Sequence, residues 1–301
     1  PITGVTHSLS YARYMPALLG RLWPGTGPRS AVIATSRSAV AVLEAAFASL
    51  RAAYGLHPAQ FPNPAIRRIP LSVPQPFPAS PEAVQRFRAE VGCGDAPLIL
   101  TLARFSPHSK MDLLPAVAAL KRAQALGLPP DTLYLAAGWA DTDDELPKAL
   151  EAYAASLNVR MRAITRPAAE TCRLLYSAAD IFFSPSDNIQ ETFGLTVAEA
   201  ASYGLPAVVS DFDGYRDIVE HETTGLLVPT LGFAVSGETN ALAGLWFDNQ
   251  YHLKLAQQSV VDVPAAAAAL ARLGADAALR RRMGAAAKLR TEAEYTPARC
   301  I

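Results

Sequence analysis

From about residue 95 the chain alternates between short apolar runs and longer segments with helical spacing. PLILTLA (97–103), TLYLAAG (132–138), VRMRAI (159–164), DIFFSPS (180–186), PAVVSD (206–211) and TGLLVPT (224–230) read as buried strands. Between them, 112–126, 142–156, 168–178, 194–203 and 213–220 carry the periodicity of helices. Strands and helices alternating at this length predict a parallel sheet covered by helices, an α/β domain. YHLKLAQQSVVDVPAAAAALARL (251–273) and DAALRRRMGAAAKLR (276–290) read as closing helices.

The pattern before residue 95 is sparser. PITGVTH (1–7), SAVIATS (30–36) and IRRIPLSV (66–73) look like strands, SAVAVLEAAFASLRAAYGL (38–56) is helical, and the proline-rich PLSVPQPFPASPE (70–82) reads as a linker. Three short strands and one helix make a poor independent domain, so the expected organisation is the tail of one α/β domain, a linker and a complete second domain. The boundaries expected are 1–82, 83–270 and a closing helix over 271–301.

Composition narrows the function classes. A chain of 301 residues, half of them hydrophobic and 18% charged, has material for two packed domains. Lysine plus arginine and aspartate plus glutamate both total 27, and zero net charge argues against a protein that coats nucleic acid. The three cysteines, Cys93, Cys172 and Cys300, have neither metal-ligand spacing nor disulfide pairing, which fits a reducing, cytoplasmic compartment. No apolar run is long enough to span a bilayer. A G-x-G-x-x-G turn between strand and helix, with an acid about 20 residues on, is absent, which speaks against a dinucleotide oxidoreductase.

Parallel sheets bind ligands at the carboxyl ends of their strands, and the polar residues gather there. Arg104 and Lys110 follow the first strand of the second domain, Gly138 and Trp139 the second, Thr165 and Arg166 the third, and Asp187 to Glu191 the fourth. In ETFGLTVAEAASYGLP (191–206) two glutamates, Glu191 and Glu199, flank Gly194, with no lysine or arginine between Arg173 and Arg216. A helix starting near Phe193–Gly194 offers unpaired amides and a positive dipole end to an anion, and glycine lets it approach. Arg104 and Lys110 supply charge for a diphosphate. A carboxylate accepts two hydroxyl donors at once, so one glutamate fits a hexose and the other a ribose. That layout describes a nucleotide sugar. Each residue alone also fits a plainer role: Glu199 a surface helix residue, Glu191 a helix-start acid, Arg104 and Lys110 solvated loop charges, Trp139 and Phe193 core aromatics. Their convergence in one cleft is what points to a nucleotide-sugar site.

SPSDNIQETFGLTVAEAASYGLPAVVSDFDGYRDIVEHETTGLLVPT (184–230) resembles the donor-site region of family-4 retaining glycosyltransferases, with Glu191 and Glu199 meeting the Glu-x7-Glu pattern. LARFSPHSKMDLLPAVAAL resembles the same family's arginine-lysine loop, with six residues from arginine to lysine where the family has five. The resemblance implies a GT-B fold: a complete C-terminal Rossmann-like parallel-sheet domain and a partial N-terminal one. It implies that Glu191 contacts the donor sugar and Glu199 the ribose. The amides of Phe193, Gly194, Leu195 and Thr196 would hold sugar and phosphate oxygens, and Arg104 and Lys110 the leaving diphosphate. Gly138, Trp139, Thr165 and Arg166 would border the base. VTHSLSYAR resembles the loop facing the donor sugar, with His7 as its candidate contact.

The implied activity is retaining transfer of a hexose from a nucleotide-diphosphate sugar to an acceptor hydroxyl, with no metal or other cofactor. The acceptor would be a lipid, a polysaccharide or a small molecule, as in cell-envelope or polysaccharide biosynthesis, and the family allows peripheral contact with the inner face of a membrane. A non-catalytic nucleotide-sugar binding module and a hydrolysing nucleotide-sugar epimerase of the same architecture are the alternatives. Because the family's first domain has a further stretch before the His7 loop, and the chain opens on Pro1, the resemblance implies an N-terminally truncated fragment with an incomplete acceptor half, inactive in that form if the missing part is essential.

Overall fold

The computed structural model describes residues 3–6, 8–27, 29–140, 145–232 and 248–300. Three strands, β1 (Thr3–Val5), β2 (Ala31–Ala34) and β3 (Ala65–Arg68), form a parallel sheet in that order. Helix α1 (Met15–Leu19) lies between β1 and β2, and α2 (Arg37–Tyr54) between β2 and β3. Ser36 caps α2 by accepting from Ala39 N at 3.1 Å. Its Leu43, Phe47 and Leu50 recur at helical spacing and close a small core on Leu22 and Val32.

The second sheet has six parallel strands: β4 (Leu98–Leu102), β5 (Leu133–Gly138), β6 (Met161–Thr165), β7 (Ile181–Ser184), β8 (Ala207–Ser210) and β9 (Gly225–Val228). Their spatial order is β6-β5-β4-β7-β8-β9. Each lies within a few residues of its expected run. Alternation along β4 feeds both faces: Ile99 packs with Val117, Leu120 and Leu270, whereas Leu98 and Leu100 pack with Leu175, Val197 and Ala198. The covering helices on this sheet are α3 (Pro81–Val91), α4 (Leu114–Ala125), α5 (Glu145–Ser156), α6 (Ala169–Ala178), α7 (Leu195–Ser202) and the short α8 (Tyr215–Ile218). Helix α3 begins inside the segment read as linker. Ser80 accepts from Ala83 N at 3.3 Å, and Pro81 sits at the first helical position.

The closing region is more divided than expected. Helix α9 (Asp248–Ala256) is followed by a two-residue strand, β11 (Val260–Val261), antiparallel to β10 (Thr230–Leu231). Helices α10 (Val263–Ala275) and α11 (Ala277–Glu294) complete it, so the boundary expected at 270/271 falls inside α10. No helix among the described residues is long and apolar enough to cross a membrane.

The two sheet units are tied at Asp217 on α8, whose side chain is only 4% exposed. The carboxylate accepts from Arg37 N, the first amide of α2, at 2.7 Å, pairs with the Arg37 guanidinium, and lies 3.5 Å from Arg68. An acid at a helix N-terminus satisfies an orphan donor and opposes the positive dipole end. The Asp217 carbonyl accepts from Tyr295 Oη at 2.8 Å and Arg290 at 3.0 Å, and Val73 N donates to Tyr295 O at 2.8 Å. Asp217→Ala is expected to cost about 1–2 kcal/mol, in line with loss of a helix cap, read as a lower midpoint in urea. An unchanged midpoint would show that this contact does not hold the units together.

Candidate functional site

The strand order places the site. From β4 the chain runs outward through β5 to β6, then returns to the other side of β4 to form β7. The loops leaving β4 and β7 therefore diverge and open a crevice at the carboxyl edge, where α/β sheets bind ligands. A cavity of about 490 Å³ occupies it. Its walls include Arg104, Lys110, Glu191, Phe193, Gly194, Leu195 and Thr196 from one unit, and Val5, Thr6, Ser8 and Thr35 from the other. His7 lies outside the described residues; its neighbours Thr6 and Ser8 line the cleft.

The Lys110 loop is anchored from β7. Lys110 N bonds Ser106 O at 2.8 Å, and Ser109 Oγ donates to Ser106 Oγ at 2.7 Å. From the β7 side, Ser186 Oγ donates to Lys110 O at 3.0 Å, Asn188 Nδ2 to Pro107 O at 3.2 Å, and Gln190 Nε2 to His108 O at 3.0 Å. The sixth residue of spacing is absorbed in this turn, and Lys110 still reaches the cleft.

There its ammonium group pairs with Glu191, the two side chains being 15% and 9% exposed. Burial opposes charge on Lys110, but the facing carboxylate outweighs it, so its pKa stands above the ordinary lysine value. Tyr215 Oη lies 3.0 Å from Glu191 Oε2, 3.5 Å from Lys110 Nζ and 2.7 Å from Ser184 Oγ. Burial, then the charge of Glu191, pushes the Tyr215 phenol up, and it remains a donor. Arg104 is exposed on the rim and donates to Ser109 O at 3.2 Å.

Gly194 is the N-cap of α7 at φ 101°, a conformation costly for side chains with a Cβ. The first helical donors to find a partner are Val197 and Ala198, both bonding Gly194 O. The amides before them are the open start of the helix, as an anion site requires. Thr196 Oγ1 is buried beside them with no hydrogen-bond partner among the described residues. Glu199 stands one turn further in and is not part of the cavity wall. It accepts from Tyr176 Oη at 2.7 Å, and burial raises its pKa while that hydroxyl partly offsets the rise.

Gly138, Trp139, Thr165 and Arg166 form a second rim at the ends of β5 and β6, apart from the cavity wall. Gly138 pairs with Thr165 in the sheet, and Arg166 N donates to Gly138 O at 2.7 Å. Trp139 is 58% exposed, while Phe193, at 4%, belongs to the core. A Cβ on Gly138 would lie 1.6 Å from Ala103 O, so only glycine lets this rim close on β4.

Sequence reasoning missed Tyr11, Ser10 and His252, which join Gln190 beside the cleft. Gln190 accepts from Tyr11 Oη at 2.7 Å and contacts His252 Nδ1 at 2.9 Å; His252 Nε2 lies 3.0 Å from Ser10 O. The Nε2–H tautomer satisfies both histidine contacts. The missed signal was the alternation Ser184, Ser186, Asn188, Gln190, a polar residue at every second position beyond a buried strand.

Two acids here carry protons near neutrality. Burial pushes Asp187 up to about 7, and burial with the Glu191 charge does the same for Asp213. Between 3.8 in the unfolded chain and about 7 in the fold, the folded state keeps a proton that the unfolded state has released. Stability contributed by this proton is therefore lost as pH rises through that window. Asp187→Asn is expected to raise the melting temperature at pH 8 more than at pH 5; an equal change at both would refute this. Among the described residues no group of three His, Cys, Asp or Glu side chains gathers as a metal-ligand set.

Residues 84–231 match the family described as Glycosyl transferases group 1. A D-inositol 3-phosphate glycosyltransferase from Xylanimonas cellulosilytica is 35% identical over 156 residues, 51% of this chain and 35% of that protein. A protein of the same name from Mycobacteroides abscessus is 34% identical over 146 residues, 48% of this chain and 31% of that one. The match thus spans about a third of these curated relatives. Sucrose-phosphate synthase from Thermosynechococcus elongatus has a similar structure, with a TM-score of 0.65 at 22% identity, covering 98% of this chain and 63% of that one. Anabaena HepE in complex with UDP-glucose gives 0.53 at 20% identity, covering 95% and 71%. The fold is that of the GT-B glycosyltransferases, with parallel sheets in both halves.

Proposed function

We propose that this GT-B chain carries the donor site of a retaining glycosyltransferase, which moves a hexose from a nucleotide-diphosphate sugar to an acceptor hydroxyl without a metal. The observation that carries this reading is the meeting of Lys110, Glu191 and the open N-terminus of α7 in one cleft between the two units. The diphosphate sits on the α7 amides and Thr196 Oγ1, with Lys110 and Arg104 against its charge. Glu191 takes the sugar hydroxyls and Glu199 the ribose. Gly138, Trp139, Thr165 and Arg166 border the base. Two relatives are named for transfer to inositol phosphate, and HepE was solved with UDP-glucose. A UDP-hexose donor and a polyol acceptor are therefore the first substrates to test.

In the transfer, the bond from the anomeric carbon to the diphosphate oxygen breaks and the acceptor oxygen bonds that carbon on the same face. The acceptor proton passes to a diphosphate oxygen. The cations and amides hold the charge that develops on the leaving group, usually the largest contribution to such catalysis.

Glu199→Ala is expected to weaken nucleoside diphosphate binding about tenfold, the scale of a hydrogen bond to a charged group. Glu191→Ala should spare it, because Lys110 then faces the diphosphate without a competing carboxylate; equal losses in both would contradict the division of roles. Incubating the chain with UDP-glucose in EDTA, and following the released sugar by proton NMR, tests the reaction. The α-anomer of glucose should appear first. The β-anomer would contradict retention, and release of an epimer would identify a hydrolysing epimerase.

A further inference from the structure

Both hydrogen bonds made by the Glu191 side chain among the described residues end on one oxygen. Oε2 receives Lys110 Nζ and Tyr215 Oη, and no described residue donates to Oε1. We propose that Tyr215 is a positioning residue of the donor site: its phenol, steadied by Ser184, gathers both protein donors onto Oε2 and leaves Oε1 free to accept the donor sugar's hydroxyls. This rests on the donor reading above and specifies which oxygen of Glu191 the sugar meets.

The geometry limits the alternatives. Tyr215 is fully buried, and Ser184 is 1% exposed. A phenol has one proton. Donating it to Glu191 leaves the Tyr215 oxygen to accept from Ser184 Oγ at 2.7 Å, so all three groups are satisfied together. Without the phenol, Ser184 loses its partner, and the Glu191 carboxylate is free to turn both oxygens toward Lys110, since a carboxylate readily accepts on both. Oε1 would then leave the sugar position. The same ring stands directly behind Gly194, where an added Cβ would lie 2.6 Å from it. Tyr215 thus sets the carboxylate and backs the amide cradle in one piece. No other tyrosine or serine hydroxyl bonds Glu191 among the described residues.

The test compares UDP, GDP and ADP, each alone and as its glucose ester, by calorimetric titration in EDTA. Wild type, Tyr215→Phe and Ser184→Ala are measured, with melting temperatures for all three. The wild type should bind one glucose ester more tightly than its parent diphosphate. Tyr215→Phe should keep the diphosphate affinity within about twofold and lose about tenfold of the preference for the ester, the scale of a hydrogen bond to a charged group. Ser184→Ala should lose less, in the same direction, and serves as the second variant if Tyr215→Phe does not fold. A parallel loss of both ligands would assign Tyr215 to packing alone and overturn the proposal. So would an unchanged preference in both variants, or a wild type that binds the ester no better than the diphosphate. A wild type that binds none of the six ligands overturns the donor reading itself.

Discussion

Lys110→Met is expected to remove most of the hold on a diphosphate and to destabilise the fold by about 3 kcal/mol, because it strips the partner from a buried carboxylate. Glu191 is 9% exposed, and Asp213 is a second acid beside it. With the ammonium gone, the carboxylate keeps only the Tyr215 hydroxyl as a close donor among the described residues. Transfer should fall about 100- to 1,000-fold, the scale for losing one group that stabilises leaving-group charge. Arg104→Ala is the contrast. Among the described residues its exposed side chain donates only to Ser109 O, so stability should be unchanged while diphosphate binding weakens. Guanidinium unfolding at pH 7, beside titration of the diphosphate, separates the two. Equal stability of Lys110→Met and wild type would show that the ion pair is not a structural element.

Gly194→Ala should cost about 2–4 kcal/mol, combining a positive φ with an overpacked contact. The new methyl group would lie 2.6 Å from two carbons of the Tyr215 ring, and that ring is fully buried and has no room to retreat. Since Tyr215 also holds Glu191, the substitution should reduce sugar recognition along with the melting temperature. Gly127 provides the control. Its φ is also positive, at 102°, but nothing lies within 4 Å of an added Cβ. Gly127→Ala should show the backbone cost alone, about 1 kcal/mol, with donor binding intact. Equal melting temperatures for the two variants would mean that the Tyr215 contact relaxes at no cost.

The six-stranded sheet was legible because strands buried on both faces must be apolar, and β4, β5, β7, β8 and β9 are. Arg104, Lys110 and Glu191 stood out as candidates because they follow β4 and β7, two of these strands. Helix α3 was obscured by the prolines before it, although Ser80, Pro81 and Glu82 form a helix-start signal. The β10–β11 pair is two residues long on each side, below what periodicity reveals. The partners Tyr215 and Asp217 carried no local mark of their roles. Tyr215 lies 24 residues from Glu191 in sequence, and Asp217 meets Arg37 across 180. Such pairings follow from how β7 and β8 lie side by side and how α2 begins against α8, which no window of sequence contains.

If the donor reading holds, this cleft binds a nucleoside diphosphate through α7 and Glu199 rather than through a metal. Calorimetric titration with UDP, GDP and ADP in EDTA, on wild type and on Glu199→Ala, is the decisive experiment. One diphosphate should bind the wild type in EDTA, with affinity lost in Glu199→Ala. Binding that requires a divalent cation, or binding that Glu199→Ala leaves unchanged, would contradict it.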